Sequence, residues 1–267
     1  MSKSTLKKVL FAALFAALLT CCLILGIAAA PADDAAAVSE GYVARTGDEG
    51  TDTYYKTLTE AVTAAPENGT ITMIADTALD ASLNLTKSIT ITGKGVISTS
   101  AAGAHTIVLA GNVHLTVTGN AEIKATGSNA SAIYQSASAN TEITLSGNAK
   151  VTSDYWTINY DKNTGDYASV KVTISDNAAV TGKYCVTVNT KFLLDLTVTG
   201  GTVSATTSDA VYVDSTATGG TTNISVTGGA ISAKGNGIIV KSKDGKAKLD
   251  LICSAAVSPA PATPRSG

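Results

Sequence analysis

The residues with most chemistry to offer lie between positions 134 and 212. Seven of the ten tyrosines and tryptophan fall there: Tyr134, Tyr155, Trp156, Tyr160, Tyr167, Tyr184 and Tyr212. Aromatic rings flanked by Asn and Asp are platforms for sugars, because a sugar ring has an apolar face and hydroxyls that need polar partners. Trp156 and Tyr184 each stand two residues before an apolar strand position, Ile158 and Val186, so they are expected to stack on one another across adjacent segments. Tyr155, Tyr134 and Tyr212 are the further ligand-binding candidates. The plainer origin of the group is that Tyr and Trp favour half-buried strands whatever they bind. Asp154, Asp161, Asp166 and Asp176 form the one dense carboxylate group in the body of the chain and could converge on calcium. Their spacing matches no calcium loop, which favours the plainer reading of solvated turn aspartates.

Groups suited to acid–base or covalent chemistry are few. The two histidines occur as Ala104-His105-Thr106 and Val113-His114-Leu115, contexts of solvated strand residues rather than of catalysts. No glycine-rich dinucleotide or phosphate loop is present in the sequence, so no cofactor other than calcium is expected. Cys185 and Cys253 are too few for the disulfide framework of a small scaffold and read as two buried, unpaired thiols.

A repeat positions these residues. The pattern apolar, Thr/Ser, apolar, Thr/Ser, turn recurs at Ile89-Thr90-Ile91-Thr92-Gly93, Leu115-Thr116-Val117-Thr118-Gly119, Ile143-Thr144-Leu145-Ser146-Gly147, Val172-Thr173-Ile174-Ser175-Asp176, Leu196-Thr197-Val198-Thr199-Gly200 and Ile224-Ser225-Val226-Thr227-Gly228. A degraded seventh copy is Leu249-Asp250-Leu251, and the steps between copies run from 24 to 29 residues. A second apolar position follows each copy, at Ile97, Ile123, Val151, Val180, Val203, Ile231 and Val257, and a third strand alternates later in five copies, as in Ile158/Tyr160 and Val186/Val188. A strand with one apolar face cannot bury that face alone, and these repeats are too short for propeller blades, so stacking is the economical solution. The expected fold is all-β, a right-handed parallel β-helix of about seven coils with three short strands per coil, roughly 34 Å long at about 4.8 Å per coil.

The turns agree with this. Gly119-Asn120, Gly147-Asn148 and Asp176-Asn177 are types that tolerate positive φ, and the three asparagines should stack as a ladder. Glu122 should lie beside Lys150, and Asp214 beside Lys241. Thr57-Leu58-Thr59-Glu60 spells a capping box for a helix that covers the N-terminal end of the core. The chain is therefore divided into residues 33–53 as linker, 54–88 as cap helix and lead-in strands, 89–257 as β-helix, and 258–267 as a Pro/Ala-rich tail.

Residues 1–32 read as a secretory signal: Lys3, Lys7 and Lys8, an apolar run from Val9 to Ile27, and Ala30-Pro31-Ala32 as a small-x-small cleavage site. The run nearly matches a bilayer span, so an uncleaved anchor is the other reading, and the only membrane contact expected is through this segment. Without it, 16 basic residues face 21 acidic ones, a charge of -5, which argues against nucleic acid as a partner. Export to the bacterial cell surface or medium is the expected destination.

Tyr54-Tyr55-Lys56-Thr57-Leu58-Thr59-Glu60-Ala61-Val62, then Gly69-Thr70-Ile71-Thr72-Met73-Ile74, with the repeat behind them, resembles the pectin-lyase-like group of right-handed parallel β-helices, of the kind found in secreted or surface proteins of Gram-positive gut bacteria. The resemblance covers residues 54–257 and is architectural. It implies an enzyme as one alternative, a polysaccharide lyase or hydrolase acting on acidic glycans. Such lyases need a basic residue beside carboxylate-held calcium, and such hydrolases need several aspartates with a histidine. Here the corresponding outward positions are Thr and Ser, and the hydrolase motifs Gly-His-Gly and Asn-Thr-Asp are missing from the sequence. The outward Thr/Ser columns are also similar to the threonine arrays of ice-binding β-solenoids, a second alternative, against which the uneven coil length counts. The leading expectation is a non-catalytic secreted or cell-surface β-helix, an adhesin or stalk that binds an extracellular glycan or a host surface protein.

Overall fold

The computed structural model describes residues 33–47, 51–135, 137–161, 167–189, 191–215, 221–242 and 248–253. Residues 1–32, which the sequence reads as a signal, and Asp166, Val257 and residues 258–267 lie outside them. The chain divides into two compact units after Glu40. In the first, α1 (Asp34–Ser39) is a short helix whose N-cap, Asp33, accepts the Ala36 N–H at 2.8 Å.

In the second unit the Thr/Ser-apolar alternation becomes a stack of strands. Gly69–Met73, Ile89–Gly93, His114–Val117, Thr141–Leu145, Ala168–Ile174, Phe192–Val198, Thr221–Val226 and Lys248–Cys253 pair in parallel, each with the next in chain order. Their period-2 pattern puts one set of side chains inside. Ile71, Ile91, Val117, Leu145, Ile174, Val198 and Val226 are in register and buried, and Ile89, Leu115, Ile143, Val172, Leu196 and Ile224 form a second such column. A second sheet supplies the column Ile97, Ile123, Val151, Val180 and Val203, and the third-strand column runs Leu83, Ile107, Ile133, Ile158, Val186, Val211 and Ile238. Each fully buried Ile, Leu or Val contributes about 1.5–3 kcal/mol, so the columns dominate the stability.

The molecule is thus a parallel β-helix, of about six turns rather than seven. The last copy of the repeat does add a strand, Lys248–Cys253, but the second strand expected at Val257 lies outside the described residues.

Three strands per coil hold for most of the stack, but not in two central coils. There the second and third strands fuse into single strands, Lys150–Tyr160 and Ala179–Val188. Elsewhere residues such as 126–130 separate the two strands, with Asn129 in the left-handed region at φ 56°. The fused strands have no left-handed residue at that place and bend instead through a β-bulge: Asp154 and Tyr155 together oppose Lys183, between the pairs Ser153/Gly182 and Trp156/Tyr184. Gly182 is required there, because a Cβ would come within 2.2 Å of Thr157 Oγ1 and 2.8 Å of the Ser153 carbonyl.

At the first corner, Gly119, Gly147 and Asp176 all have positive φ (67°, 62° and 54°), and Asp176 adds a bond from the Gly147 N–H to its carboxylate at 2.8 Å. Beside them the expected ladder forms, Asn148 donating to Asn120 at 3.0 Å and Asn177 to Asn148 at 3.2 Å. At the N-terminal end, α2 (Leu58–Ala64) has the full capping box between Thr57 and Glu60 and buries Leu58, Ala61 and Val62 in the core. Lys87 donates to the carbonyls of Thr63 and Ala65 at the end of this helix. Within the stretch expected as linker, Ala44–Thr46 instead forms an antiparallel strand between Gly69–Met73 and Thr53–Tyr55. An Arg45–Asp52 ion pair at 2.5 Å ties it to the start of the Thr53–Tyr55 strand.

Candidate functional site

The corner determines the site. Where the two fused strands bend, two consecutive side chains face outward on each, Tyr155 and Trp156 on one and Lys183 and Tyr184 on the next, and the first of the strands carries its extra residue there. Tyr155 packs edge-on against Trp156, ring centroids 4.2 Å apart, and tilts against Tyr184 at 5.9 Å. The stacking expected between Trp156 and Tyr184 takes another form: the two are register partners, and Tyr155 is the ring that touches both. Together with Tyr212, Thr187, Asn189 and Asp209 these three aromatics line one open cleft of about 300 Å³. Four of the five aromatic candidates therefore share one site.

The fifth is placed elsewhere. Tyr134 belongs to the same outward column, in register Tyr134, Asn159, Thr187, Tyr212 and Ile239. Its ring lies flat on His105, with centroids 3.7 Å apart and planes 8° from parallel. His105 Nδ1 accepts the Ser131 N–H at 3.1 Å, and burial pushes its pKa below the usual 6.5, with Asp161 pulling the other way. His105 is thus a packed residue rather than a solvated one. His114 is likewise engaged, its Nε2 within 2.9 Å of Thr144 Oγ1 and 3.3 Å of Thr116 Oγ1.

Between Tyr134 and Tyr212 the outward positions Asn159 and Thr187 are 3% and 5% exposed. Asn159 Oδ1 and Thr187 Oγ1 have no hydrogen-bond partner. An unpaired buried polar atom costs roughly 1–3 kcal/mol, and Thr187 lies in the cleft wall. Two lysines sit on the rings: Lys183 Nζ is 4.3 Å from the Tyr155 centroid and 5.5 Å from that of Tyr184, and Lys241 Nζ is 5.0 Å from Tyr212 and donates to its hydroxyl at 3.3 Å. Asp209 Oδ1 accepts from both the backbone and side-chain nitrogens of Asn236, at 2.9 and 3.0 Å, which fixes the next turn against the cleft wall. Sequence reasoning missed Thr187, Asn189, Asp209 and the two lysines. The adjacency of Lys183 to Tyr184 was the one signal available.

The three described aspartates of this group are not brought together as a metal site. Asp154 is exposed on the bulge, Asp161 follows the third strand within reach of Asn189 at 3.5 Å, and Asp176 is spent on the first corner. Among the described residues no three His, Cys, Asp or Glu side chains cluster as a metal site, and Asp166 lies outside them. Of the other aromatics, Tyr160 is core, packed edge-on to Phe192 at 5.3 Å with its hydroxyl 2.9 Å from Thr141 Oγ1, while Tyr167 is 48% exposed. Cys185 is buried and Cys253 is exposed, both as free thiols, so only the first is the buried thiol expected. Cys253 is on the last described strand, beyond which no described coil covers it.

Among the described residues no helix is long and apolar enough to cross a membrane. No family model, no curated protein and no solved structure matches this chain.

Proposed function

We propose that this protein is an exported, non-catalytic β-helix of the pectin-lyase-like kind, an adhesin or stalk that binds an extracellular glycan through the Tyr155–Trp156–Tyr184–Tyr212 cleft. The observation that carries the reading is the convergence of four aromatic side chains with Thr187, Asn189 and Asp209 in one open cleft. Flat apolar rings beside polar groups with spare hydrogen-bonding capacity suit a sugar, whose faces are apolar and whose rim is hydroxyl. On the first-strand face one outward column is Thr70, Thr90, Thr116, Thr144, Thr173, Thr197 and Ser225, and the column beside it carries His114, Glu142, Lys171 and Asp195 with Lys171 tied to Glu142 at 2.8 Å, so a lyase or hydrolase would have to work from that charged column. The test is a glycan array on residues 33–267, with and without calcium, with product release assayed on every glycan that binds. Binding without turnover, lost in the Trp156→Ala/Tyr184→Ala double variant whose circular dichroism is unchanged, supports the reading. Turnover would replace it with an enzyme, and a silent array would leave a protein partner.

That Thr/Ser column also favours a second reading, a surface that orders water as ice does. Coil lengths vary, yet the column runs in register through seven strands, because the turns absorb the variation. Its neighbouring column carries Glu142, Lys171 and Asp195, charges that hold their own hydration. Ice recrystallisation proceeding at the rate seen with an inert protein would eliminate this reading.

A further inference from the structure

Resting on the glycan reading, we infer that the aromatic cleft is one end of a longer site that crosses the corner between the second and third strands. Its ligand is then an oligosaccharide chain lying along the two fused strands, not a single terminal sugar. A second depression, of about 510 Å³, opens on the other side of the same bulge. It is lined by Glu122, Lys124, Thr152, Asp154, Thr181 and Thr206, with Ser153 and Gly182 at its inner end. Asp154 and Tyr155 are bonded neighbours, one in each depression, and Thr206 and Asp209 stand in the same turn, again one in each. The two depressions are therefore separated only by the crest of the bulge.

The strand pattern supplies the reason for a passage here. Residues 126–130 and 206–210 form turns that interrupt the coils on either side, and Ser128, Asn129, Thr206 and Thr207 on them are exposed. In the two coils between, the chain runs through the corner without a turn. The result is a saddle whose floor is the bulge and whose walls are the two turns.

The chemistry changes across it. On one side are aromatic faces; on the other are threonine hydroxyls and charges of both signs. Thr152 Oγ1 donates to Glu122 Oε1 at 2.9 Å and Thr206 Oγ1 to the Gly182 carbonyl at 3.1 Å, which leaves the oxygens of both hydroxyls as acceptors for sugar hydroxyls. Glu122 and Asp154 exceed Lys124 by one negative charge, so the groove suits a neutral chain read through its hydroxyls better than an acidic one. Such a site binds the first sugars by stacking and the following ones by hydrogen bonds. Affinity therefore rises with chain length until the saddle is crossed.

The test is a length series of one to six units, in β-1,4-linked glucose, β-1,4-linked N-acetylglucosamine and α-1,4-linked galacturonic acid, titrated calorimetrically into residues 33–267. In the series that binds, the hexamer should bind at least ten times more tightly than the dimer. The Lys124→Ala/Asp154→Ala variant should erase that gain and leave the dimer unaffected, while Trp156→Ala weakens every length. Equal affinity for dimer and hexamer, or a groove variant identical to wild type across the series, would overturn the longer site while leaving a cleft that binds short glycans. No binding at any length in any series would instead bring down the glycan reading on which it rests.

Discussion

Trp156 and Tyr184 occupy equivalent positions on adjacent coils, and Tyr155, a residue gained through the bulge, places its ring against both of them. An aromatic platform is thereby built from a backbone irregularity. The neighbouring strand lacks the extra residue and also turns two consecutive side chains outward, Lys183 and Tyr184, so the bend of the corner sets the direction and the bulge supplies the additional ring. The site thus depends on the two coils in which the strands fuse.

Gly182 is the residue on which the fusion turns. In Gly182→Ala the new methyl meets Thr157 Oγ1 and the Ser153 carbonyl, neither of which is free to retreat, because Thr157 is buried and its hydroxyl is bonded to the Thr181 carbonyl at 3.0 Å. A loss of about 1–3 kcal/mol is expected, together with an altered Trp156 emission spectrum. Denaturant melts that overlay those of wild type would mean the bulge tolerates a side chain after all.

Val198 tests the register of the core. It is fully buried, between Ile174 and Val226 in its column. Val198→Asp places a carboxylate there with no partner, at a cost of several kcal/mol against a typical domain stability of about 5–15. The variant should be unfolded or melt far below wild type in thermal circular dichroism, and a wild-type melting curve would refute the inward assignment.

The His105–Tyr134 stack predicts a pH dependence. Burial lowers the folded-state pKa of His105 below its unfolded value of 6.5, so near pH 6 the unfolded chain binds more protons. The stack's contribution is complete above about 6.5, declines as pH falls below that value, and levels off beneath the folded-state pKa. The melting temperature should fall between about pH 7.5 and 5.5, and His105→Asn, which keeps an acceptor for the Ser131 N–H without titrating, should flatten the slope. An equally steep slope in the variant would assign the pH effect to other groups.

The two thiols of residues 33–267 should behave oppositely. Burial pushes the Cys185 thiol up to about 12, so almost no thiolate forms at neutral pH, whereas Cys253 is exposed. A thiol-reactive dye should label one cysteine per native chain and both after unfolding. Rapid labelling of both in the native protein would contradict the packing around Cys185.

Most of the fold was legible in the sequence because a stacked coil writes its own periodicity. The inward columns, the Asn120–Asn148–Asn177 ladder and the capping box at Thr57 each depend on neighbours that spacing alone identifies. Features that depend on side-chain reach were not legible. Glu122 does pair in register with Lys150, yet its carboxylate takes the Thr152 hydroxyl, while an ion pair between coils forms at Lys171–Glu142, at 2.8 Å, where none was expected. Asp214 and Lys241 are likewise neighbours in register, but both reach for the hydroxyl of Tyr212. A second turn ladder, from the Asn140 N–H to Asn112 and from the Ser169 N–H to Asn140, both at 2.8 Å, gave no signal, because only two of its members are asparagine. In the site, strand alternation puts Asn159 and Thr187 in the outward column with Tyr134 and Tyr212, but it carries no sign that they are buried, since that depends on the side chains packed around them. The bulge escaped notice because it is defined by the absence of a left-handed residue rather than by the presence of one.

Trp156 is the only tryptophan in the chain and stands in the wall of the cleft, so its fluorescence reports on that site alone. The most direct measurement is a titration of residues 33–267 with a glycan bound on the array, following Trp156 emission. A saturable change in intensity with a shift to shorter wavelength, as a sugar displaces water from the indole, is the predicted result. Binding confirmed by calorimetry with no change in Trp156 emission would contradict the account, because the glycan would then be held elsewhere on the β-helix.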